Sequence, residues 1–120
     1  MPKREVLVVD DNAAFARTVV RLLELLGQPA IASNSAYDAI DTLDESQSVG
    51  FVVADIRMPE IDGYDFVRVV RHRFPKLPIA LMSAYPTDDG DVPPGIPLPV
   101  KPFEIESLVA LLPGDGKPPN

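Results

Sequence analysis

The sequence predicts an α/β domain built on a doubly wound parallel sheet, and three observations carry that prediction. Short apolar runs rich in β-branched residues recur along the chain, and their continuity suits strands buried on both faces. Stretches with helical spacing of apolar residues separate these runs, so strands and helices alternate. Several runs also stop at a polar residue able to do chemistry, as Val6 to Val9 does at Asp10 and Phe51 to Ala54 does at Asp55. With 120 residues the chain can bury one real core and hardly two.

Each element follows from local pattern. Val6 to Val9 is the first strand. From Asn12 to Leu26, residues Phe15, Val19, Leu22, Leu23 and Leu26 fall one and two turns apart and predict an amphipathic helix, with Gly27 placed for a left-handed stop. Pro29 to Ala32 reads as a short strand, and Ser35 caps a helix whose Ala36, Ile40 and Leu43 share a face. Phe51 to Ala54 is the third strand. A turn from Pro59 to Gly63 then leads into a helix running to about Phe74, with Phe66, Val67 and Val70 inward, until Pro75 and Pro78 break it. Ile79 to Met82 is a further buried strand, ended by Ser83. Leu98 to Val100, ended by Lys101, completes five strands before a helix carrying Ile105, Leu108, Val109 and Leu112.

Between Ser83 and Lys101 the alternation fails. Tyr85 to Pro99 holds Pro86, Pro93, Pro94, Pro97 and Pro99 with Gly90 and Gly95. Each proline inside a helix costs about 3 kcal/mol, so the fourth helix is expected to be missing or reduced to a turn. The domain is expected to span residues 1–112, and the tail 113–120, PGDGKPPN, has linker composition.

Composition narrows the function. Eighteen acidic against eleven basic side chains give a formal net charge of -7, which opposes direct binding to nucleic acid or an anionic membrane. The absence of cysteine excludes disulfides, thiolate nucleophiles and thiolate metal sites. No apolar run approaches the roughly 20 residues that cross a bilayer, and the first strand is interrupted by aspartates rather than forming a secretory signal. A soluble, cytoplasmic protein is expected.

In an open parallel sheet, ligands bind beyond the carboxyl ends of the strands, where the winding reverses. The residues ending the runs are Asp10 with Asp11, Asp55, Ser83 and Lys101. Clustered carboxylates repel unless a cation lies among them, and hard oxygen ligands suit Mg²⁺. A lysine and a hydroxyl opposite would cradle a phosphoryl group, Lys101 as a point charge and Ser83 as a donor. Singly, each residue has a plainer reading: Asp10, Asp11 or Asn12 as a helix cap, Asp55 as a turn residue, Ser83 as loop chemistry and Lys101 as a surface charge. Their joint occurrence is far more specific. His72, between Arg71 and Arg73, reads as part of an exposed basic helix face. Gly-Asp-Gly-Lys in the tail lacks the spacing and preceding strand of a phosphate-binding loop.

The segments VLVVDDN, VVADIRMPEIDGY, ALMSA and VKPF together resemble the signatures of the receiver domain of bacterial two-component response regulators, over residues 5–112. The resemblance implies a flavodoxin-like and CheY-like (βα)5 sheet of order 2-1-3-4-5. It implies that Asp55 takes a phosphoryl group from a sensor histidine kinase or histidine phosphotransfer protein, with a further downstream protein as the output. Asp11, the Asp55 carboxylate and the Arg57 carbonyl would hold Mg²⁺, with Asp10 acting through water. Lys101, joined to Pro102 by a cis bond, would pair with the phosphoryl oxygens, and Ser83 would swing inward. Such a domain is no enzyme acting on other molecules, but catalyses its own phosphorylation and dephosphorylation. The chain departs from the family at Leu98, where an aromatic switch residue is usual, and in the proline-rich stretch before it. Arg57 and Tyr85 occupy the positions that influence acyl-phosphate hydrolysis, and their bulk implies restricted water access.

Two other classes compete. A phosphohydrolase of the haloacid dehalogenase type also uses an aspartate nucleophile and Mg²⁺, but it sets nucleophile and general acid two residues apart on the first strand, which Asp10-Asp11-Asn12 does not offer. The other is a phosphorylation-independent, receiver-like binding module; the intact site residues argue against it.

Overall fold

The computed structural model describes residues 4–46, 48–58 and 60–82. Their elements are β1 (Glu5–Val9), α1 (Ala13–Leu25), β2 (Ala30–Ser33), α2 (Ala36–Glu45), β3 (Val49–Asp55), α3 (Gly63–Arg73) and β4 (Ile79–Met82). The fifth strand, the reduced fourth helix, the last helix and the tail predicted above lie outside the described residues.

All strand pairs are parallel and their order is β2-β1-β3-β4. After β1 the chain steps outward to β2, then returns past β1 to β3 and continues to β4. The winding therefore reverses between β1 and β3, which opens a crevice at their carboxyl ends.

Alternation along each strand divides the interior into two layers. Leu7, Val9, Val52, Ala54, Ile79 and Leu81 point to the side where α2 contributes Ala36, Ala39 and Leu43 and α3 contributes Phe66, Val67 and Val70. Val6, Val8, Phe51, Val53, Ala80 and Met82 point to the other side and meet Ala16, Val19 and Leu23 of α1. This is why the runs Val6–Val9, Phe51–Ala54 and Ile79–Met82 are continuously apolar: neither face of them meets water, whereas the edge strand β2 exposes Ala32. Each fully buried large side chain, such as Leu7 or Phe66, contributes roughly 1.5–3 kcal/mol relative to an exposed one.

The caps follow from short polar side chains at helix entrances. Asn12, Ser35 and Asp62 accept hydrogen bonds from the main-chain N–H groups of Phe15, Asp38 and Asp65 at 3.0, 3.0 and 2.9 Å. At the exit of α1, Gly27 takes φ 82, the left-handed conformation anticipated for it.

The inward face of α1 differs from the expectation. Ala16, Val19 and Leu23 are buried, whereas Leu22 is 38% and Leu26 51% exposed. At about 100° per residue, Leu22 and Leu26 form a stripe turned away from the one centred on Val19 and Leu23, and small Ala16 lets the helix approach the sheet. In α2, Ala39 is buried while Ile40 is only partly buried against the same cluster. β3 begins two residues before the predicted run, because Gly50 interrupts the apolar pattern without interrupting the strand.

Candidate functional site

β1 and β3 pair in register with Val9 opposite Ala54, so the next residues, Asp10 and Asp55, emerge side by side at the winding reversal. Asp10 is fully buried and Asp55 is 8% exposed. Asp10 is held through its main chain and its side chain. Its N–H donates to the Ser33 carbonyl at 3.0 Å, its carbonyl accepts from Asn34 Nδ2 at 3.2 Å, and its Oδ1 accepts from the Asn12 N–H at 3.0 Å. Since Asn12 caps α1, the acidic pair is released from capping and Asp11 stands exposed at the rim.

On the β3 side, the loop after Asp55 is tied down at once. Ile56 N–H donates to the Met82 carbonyl at 3.0 Å, and the Ile56 carbonyl accepts from Gly63 N–H at 2.7 Å. A Cβ at Gly63 would lie 2.7 Å from both the Asp55 carbonyl oxygen and Ile56 Cα, so only glycine lets the start of α3 sit this close to the strand end. Met58 anchors the loop in the core, Arg57 is exposed, and Glu60 adopts φ 74.

One carboxylate oxygen each from Asp10, Asp11 and Asp55 lie within 4.8 Å of one another. For the buried pair Asp10 and Asp55, unit charges at such a spacing repel by about 3 kcal/mol at an effective dielectric near 20. Three hard oxygen donors with one exposed edge fit a divalent cation with positions left for water or phosphate.

Three of the predicted site residues, Asp10, Asp11 and Asp55, are thus brought together. Arg57 lies on the adjoining loop. Ser83, Tyr85, Leu98, Lys101 and Pro102 lie outside the described residues. His72 is exposed on the last turn of α3, about 14 Å along the helix from its start beside Asp55, and so lies away from the cluster, as expected. Sequence reasoning missed two residues that shape the site. Asn34 had no signal beyond being a polar residue just after a strand end, and Gly63 was read only as the end of a turn.

No helix among the described residues is long and apolar enough to cross a membrane. Fold and cluster together define a doubly wound α/β domain with three carboxylates gathered at the strand ends where the winding reverses. The chain belongs to the response regulator receiver domain family, whose model matches residues 6–92, and is a phosphoacceptor receiver domain of two-component signalling. It is 33% identical over 112 residues to the response regulator protein FleR of Pseudomonas aeruginosa, covering 90% of this chain and 24% of FleR. It is also 28% identical over 83 residues to the sensor protein TorS of Escherichia coli, covering 69% of this chain and 9% of TorS. The chain therefore spans only a minor part of these relatives. Among solved structures, a response regulator receiver protein from Pseudomonas putida superposes with a TM-score of 0.83 at 27% identity, covering 92% of this chain and 96% of that one.

Proposed function

We propose that Asp55 is the residue that accepts the phosphoryl group, from a phosphohistidine on a sensor histidine kinase or phosphotransfer protein in the cytoplasm. One observation carries the reading: Asp55 ends β3 at the winding reversal, with oxygens of Asp10 and Asp11 within 4.8 Å of its own. An Asp55 oxygen attacks phosphorus, the N–P bond breaks with its electron pair passing to the imidazole nitrogen, and a β-aspartyl phosphate forms. Asp10, Asp11, Asp55 and the Arg57 carbonyl are the groups that would hold Mg²⁺. When bound, the ion neutralises carboxylates that otherwise repel the incoming phosphoryl oxygens. The chain's own part is preorganisation: the hydrogen bonds around Asp10 and the close seat of Gly63 hold the carboxylates together before substrate arrives. By the family resemblance, Lys101 pairs with the phosphoryl oxygens and Ser83 donates to them. Arg57 and Tyr85 limit water, which slows the self-catalysed hydrolysis.

That segments like this one occur in a response regulator and in a sensor protein supports a partner bearing phosphohistidine. Mass spectrometry after incubation with Mg²⁺ and acetyl phosphate tests the assignment. Wild type gains one phosphoryl mass and Asp55→Asn gains none. Stoichiometric phosphorylation of Asp55→Asn would overturn the choice of residue, and no addition to wild type would leave a phosphorylation-independent binding module.

A further inference from the structure

The acidic pair just after β1 is held in place by residues from the neighbouring strand end, and one of them uses its side chain. Asn34, directly after β2, donates its side-chain amide to the Asp10 carbonyl at 3.2 Å across 24 positions of sequence. The residue before it, Ser33, accepts from Asp10 N–H at 3.0 Å. Both peptide planes flanking Asp10 are therefore tied to consecutive residues, the last of β2 and the first after it.

The consequence follows from peptide planarity. The carbonyl oxygen of Asp10 and the Cα of Asp11 belong to the same rigid plane, so holding the oxygen sets where Asp11 leaves the turn. Asp11 is the exposed member of the cluster, with no strand pairing of its own. Its carboxylate can approach those of Asp10 and Asp55 only if this plane is oriented against their mutual repulsion. A donor on the Asp10 carbonyl supplies that orientation without taking up any carboxylate oxygen, which leaves the acids available for a cation.

We propose that Asn34 is a positioning residue for the divalent-cation site, acting through the Asp10–Asp11 peptide and never touching the ion. The inference rests on the proposed role of the acidic cluster. It predicts that removing the donor weakens cation binding even when negative charge is added. Asn34→Asp provides that separation, because it is isosteric and loses the amide donor while bringing another carboxylate near the site. If charge alone mattered, it would tighten binding.

Isothermal titration with Mg²⁺ on the full chain, wild type against Asn34→Ala and Asn34→Asp, is the first measurement. Both variants are expected to bind about tenfold more weakly, at the low end of what outer-shell substitutions cost metal sites. Amide exchange in the metal-free proteins is the second: Asp10 and Asn12 should exchange faster in both variants while Val8 keeps its protection. Asn34→Asp binding Mg²⁺ as tightly as wild type, or more tightly, overturns the proposal, as does unchanged exchange at Asp10 and Asn12. Wild type that fails to bind Mg²⁺ at millimolar concentration overturns the reading of the cluster instead, and the exchange measurement still decides the role of Asn34. Because Asn34 is exposed, both variants are expected to fold.

Discussion

Asp10 and Asp55 stand one residue beyond a registered pair, Val9 of β1 and Ala54 of β3, so two buried carboxylates from positions 45 apart in sequence share one edge of the sheet. Their proximity is a consequence of strand register, and register is set by the apolar residues before them. A slip of one residue would send every side chain of β1 to the wrong layer.

With the cluster holding Mg²⁺ as proposed, the ion is expected to act as a stabilising ligand. At about ten times its dissociation constant, an ion bound only by the folded state adds about 1.4 kcal/mol, enough to raise the thermal midpoint by roughly 5 °C. Differential scanning calorimetry with and without millimolar Mg²⁺ should show this rise in wild type and much less in Asp11→Ala.

Gly63 is expected to be intolerant of even one methyl group. With backbone atoms of Asp55 and Ile56 at 2.7 Å from the added Cβ, Gly63→Ala must displace α3 or the strand end. Overpacking of this kind costs about 1–3 kcal/mol, which outweighs the helix propensity gained. Urea denaturation measures the loss, and a Gly63→Ala variant as stable as wild type would contradict the close approach.

Glu60 offers the opposite case. At φ 74 a side chain costs about 1–2 kcal/mol, whereas glycine there adds about 0.5–1 kcal/mol of unfolded-state entropy. Glu60→Gly should therefore raise the urea midpoint slightly, with an unchanged m-value.

The two faces of α1 should separate cleanly. Leu23→Ala, at a fully buried position, is expected to cost about 2–5 kcal/mol, while Leu25→Gln, at a position 76% exposed, should stay within about 0.5 kcal/mol of wild type. Equal losses at the two positions would mean that both leucines are covered in solution.

Much of this was legible before any coordinates. Continuous apolar runs marked the strands because a parallel sheet buries both faces, and the run ends marked Asp10, Asp55 and the crevice they share. Ser35 and Gly27 announced helix boundaries through side-chain and backbone chemistry that acts within a few residues. What periodicity could not decide was which apolar stripe of α1 faces the sheet, since Leu22 and Leu26 repeat as regularly as Val19 and Leu23 and only packing against the sheet distinguishes them.

The sequence by itself determined the strand and helix types, the strand-end carboxylates and the family, because these depend on residue type and short spacing. Tertiary structure alone decided that Asn34 reaches the Asp10 carbonyl and that Gly63 must remain bare. Those facts belong to contacts between residues distant in sequence, whose geometry is set by register and helix docking and leaves no periodic trace along the chain.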